Sequence, residues 1–388
     1  MGIMVYLLIL LLAAAWFYQF LALVSLWRFF QPPSPAPPVA TGPGITVFKP
    51  LRGLEPLSRE CLESFLAQAY QPFQVLFGVR EAGNPVMALL AELQQAYPHC
   101  DLEIIVCPEN LGLNPKISTL QQLLPRARYD LFVIADGDVK VGPDYLAQVA
   151  AALQDQEVGL VSCPYRAGRP QTLGAALEAL TIAADFIPSV AAATSVEEIR
   201  FALGAAMALT RQALNASGGF APLADFLADD YQLGFRVAHA GLQVKILPYV
   251  VETNNPHMSW AAYLAHQLRW ARTYRVCRPG GYLAYGITHA LVYSLAILMA
   301  SGSAPWAWGL VAATLMLRGV VAGFSERLCL QGDLPWWAFS LLPFKDLLSF
   351  GLWLASFLGS RVSWGERYFR VTPEGNLVPS DTKLRSYK

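Results

Sequence analysis

The sequence predicts an α/β domain built on a mostly parallel sheet with helices on both faces, carried between apolar helices at either end of the chain. Three observations carry that reading. Short apolar strands alternate with amphipathic helices from Ile45 to Gly241. Long charge-poor runs flank that block. Only 14% of the 388 residues are charged and 55% are hydrophobic, where a soluble domain carries roughly 25% charge. Lys+Arg and Asp+Glu are both 28, so the basic excess of a nucleic-acid binder is missing. The six cysteines form no CxxC pair, which argues against a zinc site or a disulfide framework and toward a reducing compartment.

The elements follow in order. Residues 1–28 are predicted as a transmembrane anchor: Val5–Trp27 holds no charge and is long enough to cross about 30 Å of hydrocarbon. A signal peptide would need a basic start and a shorter apolar run. Arg28, Lys49 and Arg52 follow and place this end on the cytoplasmic side. Residues 29–43 are proline-rich and read as a stiff linker. Residues 44–256 form the expected catalytic domain, with strands at 45–48, 75–79, 102–106 and 129–134. Helices are predicted at 60–70, 85–97, 117–124 and 231–241, the last closed by Gly241. TIAADFIPSV at 181–190 and Met207 are read mainly as core. Residues 257–281 read as a basic, amphipathic interface helix, and 282–360 as two to three spans or re-entrant helices. Tyr282–Ser303 and Trp306–Phe324 are the clearer spans. Trp336–Leu358, interrupted by Pro343, Lys345 and Asp346, is expected to be re-entrant, keeping the basic tail 361–388 inside.

In a parallel sheet the ligand crevice lies beyond the C-terminal ends of the strands. The strand YDLFVI runs into A-D-G-D, so Asp136 and Asp138 stand at that edge. Two carboxylates one residue apart suit a hard divalent cation, Mg2+ or Mn2+, whose shell diphosphate oxygens complete. An ordinary Asp-Gly turn uses the same residues. Asp229 and Asp230 precede the helix at 231–241. Capping explains one carboxylate; a second can serve as a base toward an acceptor hydroxyl, and the residues alone do not separate the two. On H-Q-L-R-W at 266–270, Arg269 can meet a diphosphate and Trp270 can wall a sugar or lipid, while Arg272, Arg275 and Arg278 also suit an anionic membrane surface. Neither GxGxxG nor GxxxxGK[ST] occurs, which removes the phosphate loops of dinucleotide oxidoreductases and P-loop NTPases.

K-P-L-R-G at 49–53, N-P-K at 114–116, D-G-D at 136–138, A-D-D-Y at 228–231 and L-R-W at 268–270 occur in an order that resembles the ceramide glucosyltransferase family, including its bacterial hopanoid-associated relatives. The resemblance covers nearly the whole chain. It implies a GT-A-type fold, an inverting mechanism and a UDP-sugar donor. It assigns Asp230 as general base with Asp229 beside it, and Asp136 and Asp138 to metal. Lys49, Glu81, Asn84, Lys116, Asp136, Arg269 and Trp270 fall to donor binding, and His266 lies near the acceptor. Asn84 stands where the family has an aspartate, and His266 where it has Gln or Arg. The implied reaction is transfer of one sugar, glucose in the first instance, to the primary hydroxyl of a membrane lipid such as ceramide. N-acetylglucosamine on a hopanoid, a processive polysaccharide synthase, a polyprenyl-phosphate sugar transferase and a non-enzymatic receptor are the alternatives. The expected partners are a nucleotide-sugar donor, a lipid acceptor and the bilayer, with no nucleic acid and no obligate protein. The expected location is a bacterial inner membrane with the catalytic domain in the cytoplasm.

Overall fold

The apolar runs at Ile45–Phe48 and Val75–Val79 become the centre of a seven-stranded sheet in the computed structural model, which describes residues 2–31, 40–364 and 367–380. The strands are β1 (Thr41–Leu51), β2 (Gln71–Val79), β3 (Asp101–Val106), β4 (Leu131–Ala135), β5 (Val158–Ser162), β6 (Ala206–Thr210) and β7 (Gln243–Ile246). Their order is β3-β2-β1-β4-β6-β5-β7. Val47 pairs with Val75 on one side and Val133 on the other, both parallel. Only β6 runs against its neighbours, pairing Leu131 with Thr210 and Leu160 with Leu209. The mostly parallel expectation holds. The near-continuous apolar content of β1, β2 and β4 follows from burial on both faces. Phe48, Leu76, Phe132, Ile134, Leu209 and Leu233 share one core there.

Two compact units divide the chain. The sheet unit is Pro32–Arg166 with Glu198–Asn255; the other is Met1–Gln31, Ala167–Glu197 and Pro256–Lys388. The catalytic segment expected over 44–256 is therefore interrupted. Leu173–Val196 is a helix long and apolar enough to cross a membrane, and it belongs with the terminal helices. The linker expected at 29–43 falls largely outside the described residues.

In the helical unit, Gly2–Phe29 is one continuous helix, as expected. Its Leu12 and Ala15 pack with Leu291, Ile297 and Val311, and Trp16 Nε1 donates to Thr314 Oγ1 at 3.0 Å. The span expected from Tyr282 is instead a helix pair, Pro279–Thr288 and Ala290–Ala300, bent by 50°. Carbonyls freed near the bend are taken up by side chains: Trp353 Nε1 donates to Tyr282 O at 3.0 Å and Tyr293 Oη to Gly286 O at 2.7 Å. A Cβ on Gly286 would lie 2.5 Å from the Trp353 ring, so only glycine admits that approach. Trp336–Phe357, where the re-entrant break was expected, runs through as a single 22-residue apolar stretch. Pro343 falls in the first turn of the helix Leu342–Phe357, where its missing N–H costs nothing. The expected basic tail begins with a three-stranded antiparallel sheet over Arg361–Trp364, Arg367–Val371 and Leu377–Pro379.

Ionic groups are unusually concentrated among these apolar helices. Arg318 forms a two-pronged pair with Asp346 at 2.8 and 2.7 Å and reaches Asp185 at 2.7 Å. Lys345 bonds Asp346 at 2.8 Å and also Asp185. Lys345 and Asp346, costly in lipid, are thus buried against opposite charge.

Candidate active site

The C-terminal ends of β1, β2 and β4 deliver K-P-L-R-G, E-A-G-N-P and D-G-D to one edge of the sheet. The sharpest placement concerns Lys116. Asn114 opens the helix Pro115–Leu123, its side chain accepting from Ile117 N at 3.1 Å, with proline at the first position. That start projects Lys116 so that Nζ lies 2.6 Å from Asp136 Oδ1, 3.7 Å from Asp229 Oδ2 and 3.1 Å from Gly204 O. Asn114 Nδ2 donates to Asp229 Oδ1 at 3.1 Å and to Phe226 O at 3.0 Å. The N-P-K motif therefore joins the two acidic motifs, which lie about 90 residues apart in sequence. Burial alone would lower the Lys116 pKa, but Asp136, Asp229 and Asp230 outweigh it and hold the ammonium charged.

Asp229 and Asp230 occupy the first turn of the helix Asp229–His239. Asp229 is buried and pinned by Asn114 and Lys116, whereas Asp230 is half-buried. Asp230 Oδ1 accepts from Tyr231 N at 2.8 Å. Burial, then the Asp229 charge, pushes the Asp230 carboxyl up to about 6, with Lys116 opposing. A half-open carboxylate with a raised pKa, steadied by a buried neighbour, has the properties of a general base.

Asp136 and Asp138 are both half-buried. Burial, then Asp136 and Glu55, raises the Asp138 carboxyl to about 7. Hard carboxylate oxygens crowded by like charge fit Mg2+ or Mn2+. Among the described residues no three His, Cys, Asp or Glu side chains form a complete metal cluster, so donor diphosphate or water oxygens would have to complete the shell. Lys49 differs from its expected donor-binding role. It is fully buried, and its ammonium donates to the backbone carbonyls of Asp136 and Val139. It fixes the D-G-D turn from behind, and burial lowers its pKa to about 8. Asn84 caps Val86 N at 3.0 Å and donates to Arg52 O at 3.0 Å, tying two edge loops together. One N–H and one lone pair remain for a ligand. Glu81 is exposed at the same edge.

His266, Arg269 and Trp270 lie in the helical unit, on the helix Trp260–Cys277. Glu178, buried in Leu173–Thr181, reaches two of this helix's side chains: Oε1 is 3.0 Å from His266 Nδ1, and Oε2 accepts from Gln267 Nε2 at 2.8 Å. Trp270 packs on His266 at 4.7 Å and on Phe186 at 5.4 Å. Arg275 donates to Gly359 O at 2.9 Å, and Arg278 pairs with Glu197 at 2.6 Å. Much of the basic cluster is thus used inside its own unit.

Sequence reasoning gave Asn114 and Lys116 no bridging role and left out Glu178 and Gly204. An acid inside the apolar run LGAALEALTIAA needs a partner, and that signal was available for Glu178. Gly204 carried none: a Cβ there would stand 2.7 Å from Asp230 Oδ2, a contact made only by the fold.

A nucleotide-facing sheet edge with D-G-D beside a carboxylate pair, attached to apolar helices, defines a GT-A glycosyltransferase of the membrane-linked kind. The family model described as glycosyl transferase family 21 matches residues 7–377, and the chain belongs to that family. It is 25% identical over 232 residues to ceramide glucosyltransferase 3 of Caenorhabditis elegans, covering 59% of this chain and 50% of that one. Against ceramide glucosyltransferase 1 of the same organism it is 24% identical over 259 residues, covering 64% and 53%. The chain thus spans about half the length of these curated relatives. A mannosyltransferase from Pyrobaculum calidifontis, solved with GDP-Man and Mn2+, superposes with a TM-score of 0.54 at 22% identity, covering 91% of this chain and 97% of that one. That likeness supports the fold.

Proposed function

We propose that the protein transfers a single sugar, glucose from UDP-glucose, with inversion, to the primary hydroxyl of a membrane lipid such as ceramide. The observation that carries this reading is the Lys116 bridge between Asp136 and Asp229, which sets a donor-side carboxylate beside the Asp229–Asp230 pair. The ceramide glucosyltransferase names of the relatives supply the acceptor class.

Asp230 accepts the proton of the acceptor hydroxyl as its oxygen bonds to the anomeric carbon and the bond from that carbon to the diphosphate breaks. Asp229, held by Asn114 and Lys116, orients the turn that carries Asp230. Lys116 offsets the negative charge of three carboxylates and keeps Asp230 ionisable near neutral pH. Asp136 and Asp138 would hold a Mg2+ or Mn2+ ion, which when bound supplies charge stabilisation to the leaving diphosphate. Arg269 and Trp270 are assigned to the donor by family resemblance. The proposed setting is the cytoplasmic face of a bacterial inner membrane.

The test is purified protein offered UDP-glucose, UDP-N-acetylglucosamine and GDP-mannose against ceramide, a hopanoid and a polyprenyl phosphate, with products read by mass spectrometry. One glucose per ceramide, lost on chelation and restored by Mn2+ or Mg2+, is the expected result. Polymer formation, or transfer to the phosphate alone, would replace this reading.

A further inference from the structure

A polar pocket of about 380 Å3, counted to its open mouth, lies within the helical unit. Its charged lining is Asp185, Arg318 and Asp346. Those charges are already balanced: Arg318 and Lys345 face Asp185 and Asp346, each cation bonded to both carboxylates. An anionic or cationic ligand therefore meets no unmatched counter-charge. Asp185 sits in the widened helical turn Ile182–Phe186, a distortion that recurs at functional positions. The bend of the 279–300 helix pair supplies Tyr285, Thr288 and His289 to the same pocket.

Hydrogen-bonding capacity here is left over. His289 is 8% exposed, and its Nε2 has no partner. Tyr18 and Tyr285 also line the pocket, and their hydroxyls make no hydrogen bond to any other described residue. Unsatisfied polar groups among apolar helices are costly, so such a set implies a polar guest. Ala290, Leu291 and Val292 add apolar lining, which suits a guest that is polar at one end and apolar beyond it.

We propose that this pocket binds a hydroxyl- or amide-bearing group of an uncharged membrane lipid, held by Tyr18, Tyr285 and His289. The proposal rests on the lipid-acceptor reading only in taking that lipid to be the acceptor. Binding is therefore tested without donor. The full chain in nanodiscs is exposed to a diazirine-bearing ceramide, irradiated and mapped by peptide mass spectrometry. Labelling is expected on peptides around Tyr18 and residues 285–292, competed by unlabelled ceramide and not by phosphatidylglycerol. Tyr18→Phe with Tyr285→Phe removes two hydroxyls and keeps the rings; labelling should fall about tenfold, the loss of one to two hydrogen bonds. Ser349→Leu, which fills the pocket from another lining residue, should lower it similarly if the tyrosine variant proves unstable. Undiminished labelling in folded variants, equal competition by phosphatidylglycerol, or a pocket that takes water only would overturn the proposal. Labelling without sugar transfer would sink the acceptor reading and leave the pocket. Transfer with no labelling here would do the reverse.

Discussion

Gly204 and Asp230 approach so closely that a single added carbon on the glycine would stand 2.7 Å from the aspartate's Oδ2 and 3.1 Å from its Cγ. Nothing but hydrogen fits between the loop before β6 and the carboxylate proposed as base. Gly204→Ala should push Asp230 out of register while leaving the sheet intact. Transfer should fall about a hundredfold, the usual penalty for a misplacement near 1 Å, with nucleotide-sugar affinity little changed. Isothermal calorimetry of the donor beside a turnover assay separates the two effects.

Asp230→Asn should abolish proton acceptance and lower transfer by about two to four orders of magnitude. Asp229→Asn should cost less, because that side chain orients the turn. The pH profile tests the same assignment. The Asp230 carboxyl is raised to about 6, chiefly by burial. It acts only when ionised, so turnover at saturating substrates should rise through pH 6 and level off above it. Stability runs the other way. The native state holds this proton more tightly than the unfolded chain, so the ionised group opposes folding above pH 6. Asp230→Asn should therefore melt no lower than the parent at pH 7.5. A melting point well below the parent would show the carboxylate to be structural.

Lys116→Met removes the cation that holds Asp136 and Asp229 together and opposes the raised pKa of Asp230. The acid limb of the pH profile should move to higher pH. Thermal stability should fall as well, because the buried Asp229 loses an opposite charge. Lys116→Arg, which keeps the charge, should restore the position of the limb even where it lowers turnover. An unmoved limb in Lys116→Met would separate Lys116 from the base.

Glu178→Gln leaves one carbonyl oxygen to serve two donors, His266 Nδ1 and Gln267 Nε2, where the carboxylate served both. The detergent-solubilised protein should lose about 1–3 kcal/mol, read as a lower melting temperature. Donor affinity should fall in step if the helix Trp260–Cys277 presents Arg269 and Trp270 to the nucleotide sugar. An unchanged melting temperature would mean that the tether carries no strain-free load in solution.

The half of the sheet from β1 to β4 was legible because its strands are apolar, short and separated by amphipathic helices of ordinary length. The helix Pro115–Leu123 announced itself through Asn114 and Pro115, and the helix Asp229–His239 through its acidic start. The strands β5, β6 and β7 were not assigned, since runs such as AMALT and QVKI are too short for periodicity to speak. Leu173–Val196 was read as core because it lies between segments of the catalytic domain. Lys49 looked like a donor ligand beside K-P-L-R-G; only the fold showed that β1 turns it inward. Asp136, Asp138, Asp229 and Asp230 were found from local context, but their union through Lys116 depends on long-range packing that no local pattern encodes.

Leu160 and Leu209 are hydrogen-bonded neighbours in the sheet, and the apolar helix Leu173–Val196 lies between them in the chain. A single sheet cannot have a bilayer running through it. However membrane-like its composition, that helix must return the chain to the side it left, so it cannot count as one crossing. Hydropathy alone therefore overstates the odd-or-even tally that decides which compartment each later loop faces. During synthesis the ribosome must deliver β1 to β5, then this apolar stretch, and only afterwards the antiparallel strand that closes the gap between β4 and β5. The unfinished sheet waits on a segment the insertion machinery can mistake for a stop signal, and fidelity at that moment sets how much of the enzyme matures.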